Sequence, residues 1–189
     1  MSKTETHSVA RSLARASRNV RIRNVALWLL VNGTGLRISE ALALRVEDVT
    51  SHAGVRSHVA LRRGRTKGAR SGATLPFNPK IRRVLSVFLR KHHPAPQTGS
   101  PQFFSDRNHA DALTRNGAWR FLRGAMDDAE VDGQTGWHSG RKSFCKAIYE
   151  ALGNDLISTR SAMRHSSVLT TAVYLHADRN RVEEAFLRI

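Results

Sequence analysis

Between Ile22 and Leu30 the apolar side chains Ile22, Val25, Ala26, Leu29 and Leu30 recur at helical spacing. A segment patterned in this way folds as a helix whose apolar face is buried. Asn32-Gly33 supplies the expected stop, and a second helix follows Gly35, carrying Leu42 and Leu44 inward. From about Val46 to Phe77 the helical period is lost and Val, Thr, Gly and alternating basic residues take over. This predicts short strands with turns at Ala53-Gly54 and near Gly68 to Gly72, paired as a small antiparallel sheet.

Helices return after Phe77. Asn78-Pro79 is a cap followed by a first-turn proline, opening a helix through Ile81, Val84, Leu85 and Phe88 that Pro94 and Pro96 close. Thr114 caps a helix running to about Ala129. Ser139 to Leu152 and Asp155 to Met163 form two more, separated at Gly153. The last helices hold Thr171 to Leu175 and Arg181 to Leu187. The fold class is α+β, mostly α-helical, with one small antiparallel sheet.

The chain has 189 residues, the size of one domain, and can bury a core without disulfides or a structural metal. Its 31 Lys and Arg against 15 Asp and Glu leave a net charge of +16, a field that attracts polyanions and makes nucleic acid the leading partner. Cys145 is the single cysteine, which excludes an internal disulfide and a Cys-rich zinc site. The run Val25 to Val31 is too short to span a membrane. Met1-Ser2-Lys3-Thr4 lacks the apolar core of a secretory signal, so a cytoplasmic protein is expected. The first twenty residues mix Arg, Ser and Ala with few large apolar groups and predict a frayed, basic helix or arm.

The two tyrosines differ in their surroundings. Tyr149 lies mid-helix between Ile148 and Glu150, a packing position. Tyr174 lies in Thr170-Thr171-Ala172-Val173-Tyr174-Leu175-His176, close behind a His-Ser-Ser turn. Alone it too would fit packing better than chemistry, and its company changes that. A phenol is a poor nucleophile near neutral pH, so attack on a phosphodiester needs cations and donors around the phosphate. Arginine suits this because its planar fork binds two phosphate oxygens. Arg37 follows Thr34-Gly35-Leu36 at a helix start, where backbone amides already favour an anion. Arg141 stands three residues after His138, on one helical face with it. His165, in Met163-Arg164-His165-Ser166-Ser167, adds a second imidazole. Lys67 sits in the turn of the predicted hairpin, where its ammonium can reach a DNA groove and protonate a leaving oxygen. His138 and His165 are far apart in sequence, each with an arginine within three positions, and this cationic setting argues against a metal site. Gly64-Arg65-Thr66-Lys67-Gly68 lacks the spacing of a nucleotide-binding loop.

Taken in order, Thr34-Gly35-Leu36-Arg37-Ile38-Ser39-Glu40, the hairpin lysine, His138-x-x-Arg141, Arg164-His165-Ser166-Ser167 and the segment Thr171 to His176 resemble the motif series of the tyrosine recombinases, or phage integrase family. The resemblance runs from Ile22 onward and implies the catalytic-domain fold of that family. It implies Arg37 and Arg141 as phosphate clamps, His165 as a transition-state hydrogen-bond donor, Lys67 as general acid, His138 in proton handling and Tyr174 as nucleophile, with Glu40 buttressing the site. Arg62, Arg63, Arg65, Arg70 and Arg164 are expected to bind DNA. No cofactor and no metal are required. Double-stranded DNA, further protomers in a tetramer on DNA and accessory DNA-bending proteins are the expected partners, with no membrane. The implied activity is site-specific strand cleavage and rejoining through a 3′-phosphotyrosine. Its rivals are a relaxing topoisomerase of the same chemistry and a catalytically silent DNA-binding regulator.

Two departures from the family pattern stand out. Met163-Arg164 replaces the usual Leu-Gly before the second histidine, placing a further cation in that turn. Only about twenty residues precede the catalytic region, a layout similar to that of the short fimbrial-switch invertases. The expected organisation is a basic arm over residues 1–20, a catalytic domain over 21–179 and a C-terminal helix over 180–189. In that helix Val182, Ala185, Phe186 and Ile189 form one apolar stripe, which the resemblance assigns to docking on a neighbouring protomer.

Overall fold

The computed structural model describes residues 1–17, 20–61, 72–93, 102–105, 111–133, 135–175 and 187. Its centre is helix α2 (Arg21–Thr34), with Ala26, Leu27, Trp28, Leu30 and Val31 fully buried. The helix runs through the expected stop at Asn32-Gly33 and ends at Gly35, whose φ of 63° is left-handed. Gly33 serves packing instead: a Cβ there would fall 2.3 Å from Ile81 Cδ1. A stop needs the left-handed backbone, and Gly35 is the residue that adopts it.

The first residues depart further from expectation. Helix α1 (Lys3–Arg15) is capped by Ser2, whose hydroxyl accepts the Glu5 N–H at 3.1 Å while the Glu5 carboxylate accepts the Ser2 N–H. Val9 and Leu13 enter the core. The Trp28 indole donates to the Thr6 carbonyl at 3.1 Å, and the Ser12 hydroxyl donates to Asp128 at 2.9 Å. The expected frayed arm is thus a packed helix. Two apolar side chains and a few polar contacts hold it, too sparse a pattern for the sequence to announce.

After α3 (Ile38–Leu42) the chain makes one further turn, α4 (Val46–Val49), where strand was expected. The Asp48 carboxylate accepts the Arg45 N–H at 2.9 Å and closes that turn. Two antiparallel ladders follow. β1 (Thr50–Ser51) pairs with β2 (Gly54–Val55), and β3 (His58–Leu61) pairs with β4 (Ala73–Pro76) in the register His58 to Pro76 and Leu61 to Ala73. Val59 and Leu61 face the core while His58 and Ala60 face out, the two-residue alternation of a half-buried strand. Residues 62–71, which join β3 to β4 and include Arg62, Arg63, Arg65, Lys67 and Arg70, lie outside the described residues.

Helix α5 (Pro79–His92) begins where the sequence predicts it, with Asn78 accepting the Ile81 N–H at 2.9 Å. The expected closure at Pro94 and Pro96 falls outside the described residues. Phe88 packs with Phe103 and Phe104, ring centroids 5.0–5.3 Å apart. Helix α6 (Arg115–Asp128) is capped by Thr114 and buries Ala118, Leu122, Ala125 and Met126.

Contacts divide the chain into Met1–Ser143 and Phe144–Ile189, the boundary falling within helix α7 (Trp137–Ala151). In the second unit, Asp155 caps α8 (Leu156–Met163) by accepting the Ile157 and Ser158 N–H groups, and α8 packs on α9 (Val168–Leu175). Of the expected C-terminal helix only Leu187 is described, so Val182, Ala185, Phe186 and Ile189 lie outside the described residues. No described helix is long and apolar enough to cross a membrane.

Docking of α1 has a measurable consequence. Leu13→Ala should lower the unfolding free energy by about 2–5 kcal/mol, the cost of a buried leucine truncation. Urea unfolding measures it, and an unchanged midpoint would mean that α1 is frayed.

Candidate active site

In the Met1–Ser143 unit, the left-handed turn at Gly35 buries Leu36 and sets Arg37 at the entrance of α3. Glu40 is buried at 3 % exposure. Its carboxylate accepts the Arg37 backbone N–H at 2.8 Å and the Arg37 guanidinium at 3.2 Å. The Arg37 side chain remains 39 % exposed, so the same pairing fixes its stem and leaves much of the fork open. Glu40, the residue expected to buttress the site, forms a direct ion pair with Arg37.

Arg141 lies on α7, almost wholly buried, and its guanidinium donates to the Gly35 carbonyl. His138 stands one turn earlier on the same helix, with its ring exposed. Partial desolvation, then the charges of Arg141, Arg115, Arg37 and Lys142, hold its pKa below the ordinary histidine value. A neutral imbidazole ring, able to accept a proton, is the favoured state at neutral pH. Arg115 and Lys142 were missed by motif reasoning. Their signal is positional: both belong to the lining of a cleft that includes His138.

In the Phe144–Ile189 unit, α8 ends at Arg164 in the left-handed conformation, φ 56°. Glycine takes that conformation without steric penalty, whereas Arg164 adopts it at a cost of about 1–2 kcal/mol. The departure from Leu-Gly therefore keeps the backbone turn. The Arg164 N–H donates to the Ser161 carbonyl at 3.0 Å, and the His165 N–H donates to the Arg160 carbonyl at 3.1 Å. His165 is buried at 4 % exposure, and its Nδ1 hydrogen-bonds the Thr171 hydroxyl at 2.9 Å. With Thr171 as donor, Nε2 carries the ring proton and is itself a donor. Tyr174, half-buried on α9, has its ring centroid 5.3 Å from that of His165. Tyr149 is half-buried in the middle of α7. Thr171 is a second residue that the motif reading passed over, being hidden among the small residues before Tyr174.

The first unit thus gathers Arg37, Glu40, His138 and Arg141, and the second gathers His165 and Tyr174 with Thr171. Lys67 and the hairpin arginines lie outside the described residues, as does His176.

The His138 environment sets a pH dependence. Its folded pKa lies below the unfolded value, so on acidification through about 6.5 the unfolded chain binds the proton first and stability falls. NMR titration should find the His138 pKa below the ordinary value, and Arg115→Ala should raise it. His138→Asn should remove this part of the acid destabilisation. A His138 pKa unmoved by Arg115→Ala would separate the two side chains.

Comparison with known proteins follows the same geometry. The family model for the phage integrase family matches residues 3–181. Tyrosine recombinase XerD of Listeria monocytogenes is 25% identical over 169 residues, covering 87% of this chain and 54% of the relative. XerD of Corynebacterium glutamicum is 30% identical over 167 residues, covering 88% of this chain and 52% of the relative. The chain spans about half the length of these curated relatives. Among solved structures, XerH site-specific recombinase bound to palindromic difH substrate, a post-cleavage complex, superposes with a TM-score of 0.79 at 25% identity, covering 98% of this chain and 51% of that one. With the turn around Arg37, the His138-x-x-Arg141 helix and the His165–Tyr174 pair all on the matched segment, this chain belongs to the phage integrase family.

Proposed function

We propose that the chain carries the catalytic part of a site-specific DNA recombinase that cleaves and rejoins strands through Tyr174. The observation that carries this reading is the seating of the Tyr174 phenol beside a buried histidine, His165, which Thr171 orients. A phenol packed only for stability needs no such partner. Membership of the phage integrase family and the net charge of +16 support double-stranded DNA as substrate.

In this mechanism Arg37 and Arg141 hold the non-bridging oxygens of the scissile phosphate, and His165 donates a hydrogen bond to the charge that builds there. The Tyr174 oxygen forms a bond to phosphorus as the bond to the 5′ oxygen breaks. His138 takes part in handling the phenol proton, and Lys67 protonates the leaving 5′ oxygen. The 5′-hydroxyl of a partner strand then attacks the phosphotyrosine and restores the phosphodiester. The covalent bond conserves the energy of the original link, so positioning and charge stabilisation suffice without an added energy source. Arg62, Arg63, Arg65, Arg70 and Arg164 bind the DNA backbone. Strand exchange requires several protomers on paired sites, so a tetramer on DNA is the working assembly, with residues 180–189 docking on a neighbour and the catalytic domain spanning 21–179. The site of action is the cytoplasm.

Tyr174→Phe should bind a nicked suicide duplex nearly as well as the unaltered protein and form no covalent adduct, whereas Tyr149→Phe should still be trapped. Denaturing gel electrophoresis reads the adduct, and a trapped Tyr174→Phe protein would overturn the assignment. Lys67→Ala should slow cleavage of ordinary DNA, and a 5′-bridging phosphorothioate, whose sulfur leaves without a proton, should restore much of the rate. Lack of rescue would move the acid to Arg65, Arg70 or another group.

A further inference from the structure

Beside His138 the Met1–Ser143 unit holds a cleft of about 470 Å3, walled by Arg115 and Trp119 of α6, by Thr135, and by Trp137 and Lys142 of α7. Trp119 is 42% exposed, yet its indole is seated. A Cβ at Gly136 would fall 2.9 Å from the Trp119 Cζ3, so the ring rests against bare backbone. Arg115, Lys142 and His138 all line the cleft, and the two charges both act on the His138 ring. Two lining residues also carry buried polar atoms, Trp137 Nε1 and Thr135 Oγ1, with no hydrogen-bond partner among the described residues. Trp137 itself is only 7% exposed, so water is a poor substitute.

These features select a ligand chemistry. A simple anion would use the cations and leave the indole idle. An intact duplex keeps its bases stacked and offers no base face to an indole. An unpaired nucleotide uses both, since a base stacks on an aromatic ring while cations track its phosphate. The reaction proposed above creates such a strand. Before a cut strand's 5′-hydroxyl can attack a partner's phosphotyrosine, its terminal nucleotides must leave their complement.

We propose that this cleft is a subsite for an unpaired nucleotide of the cut strand, with the base stacked on Trp119 and the phosphate held by Arg115 and Lys142. The origin of that strand rests on the recombinase reading; the binding chemistry does not.

The full chain is titrated with a single-stranded tetranucleotide, a deoxynucleoside monophosphate and a blunt duplex, following indole fluorescence in the unaltered protein and in Trp119→Leu, and the anisotropy of end-labelled ligands in every variant. Trp28 and Trp137 remain in Trp119→Leu, so quenching that disappears in that variant reports Trp119. The tetranucleotide should quench, and Trp119→Leu should weaken its binding about tenfold, the usual worth of one stacked base. Trp119→Phe should keep most of the affinity. Gly136→Ala retains the indole but displaces it, and should weaken the tetranucleotide as Trp119→Leu does. Duplex affinity should change much less in each variant. The proposal is overturned if the tetranucleotide does not quench, if Trp119→Leu weakens duplex and single strand equally, or if Gly136→Ala binds the strand like the unaltered protein. Tighter binding of the monophosphate than of the tetranucleotide would assign the cleft to a free nucleotide and overturn it too. Failure of the unaltered protein to form any adduct would sink the recombinase reading and leave the single-strand result standing, so the two fail separately.

Discussion

The contact on which the first unit depends is the Arg141 guanidinium donating to the Gly35 carbonyl. A guanidinium cannot shed its charge, so burying one demands acceptors that are held in place. Gly35 supplies such an acceptor because its left-handed backbone turns the chain sharply at the end of α2. Gly140 lets α7 close up on α2, since a Cβ there would fall 2.8 Å from the Asn32 side chain. The same contact ties the start of α7, which carries His138, to the turn that presents Arg37.

The acid distribution around this contact is as telling as the cations. Glu40 takes up the Arg37 backbone N–H and one guanidinium nitrogen, which fixes the side chain without capping it. Partial desolvation, and then the charges of Arg141, Arg115, Arg37 and Lys142, oppose protonation of the His138 ring. The second unit is built differently. There a small hydroxyl, Thr171, is hydrogen-bonded to a buried imidazole that lies beside a phenol.

Much of this was legible because capping is local chemistry. Asn78-Pro79, Thr114 and Asp155 each start a helix in the structure as their side chains predict, since the bond from cap to backbone spans only two or three residues. The motif series also located Arg37, Glu40, His138, Arg141, His165 and Tyr174 on their elements. What escaped was decided at long range. The sequence suggests only a frayed helix or arm for the first residues, because the packing of α1 rests on Val9 and Leu13 and on bonds to Trp28 and Asp128, far along the chain. Gly33 was read as a stop because a sequence does not show Ile81 lying against it.

The sequence by itself determined the helical punctuation, the family and the identities of the groups that bear charge. These depend on residue type and on spacings of three or four positions, which the chain states directly. The tertiary structure alone decided which of the cations is buried, that His138 shares a cleft with Arg115 and Trp119, and that Arg164 holds a left-handed turn. Burial and electric field depend on side chains brought together from distant segments, and only packing brings them within range.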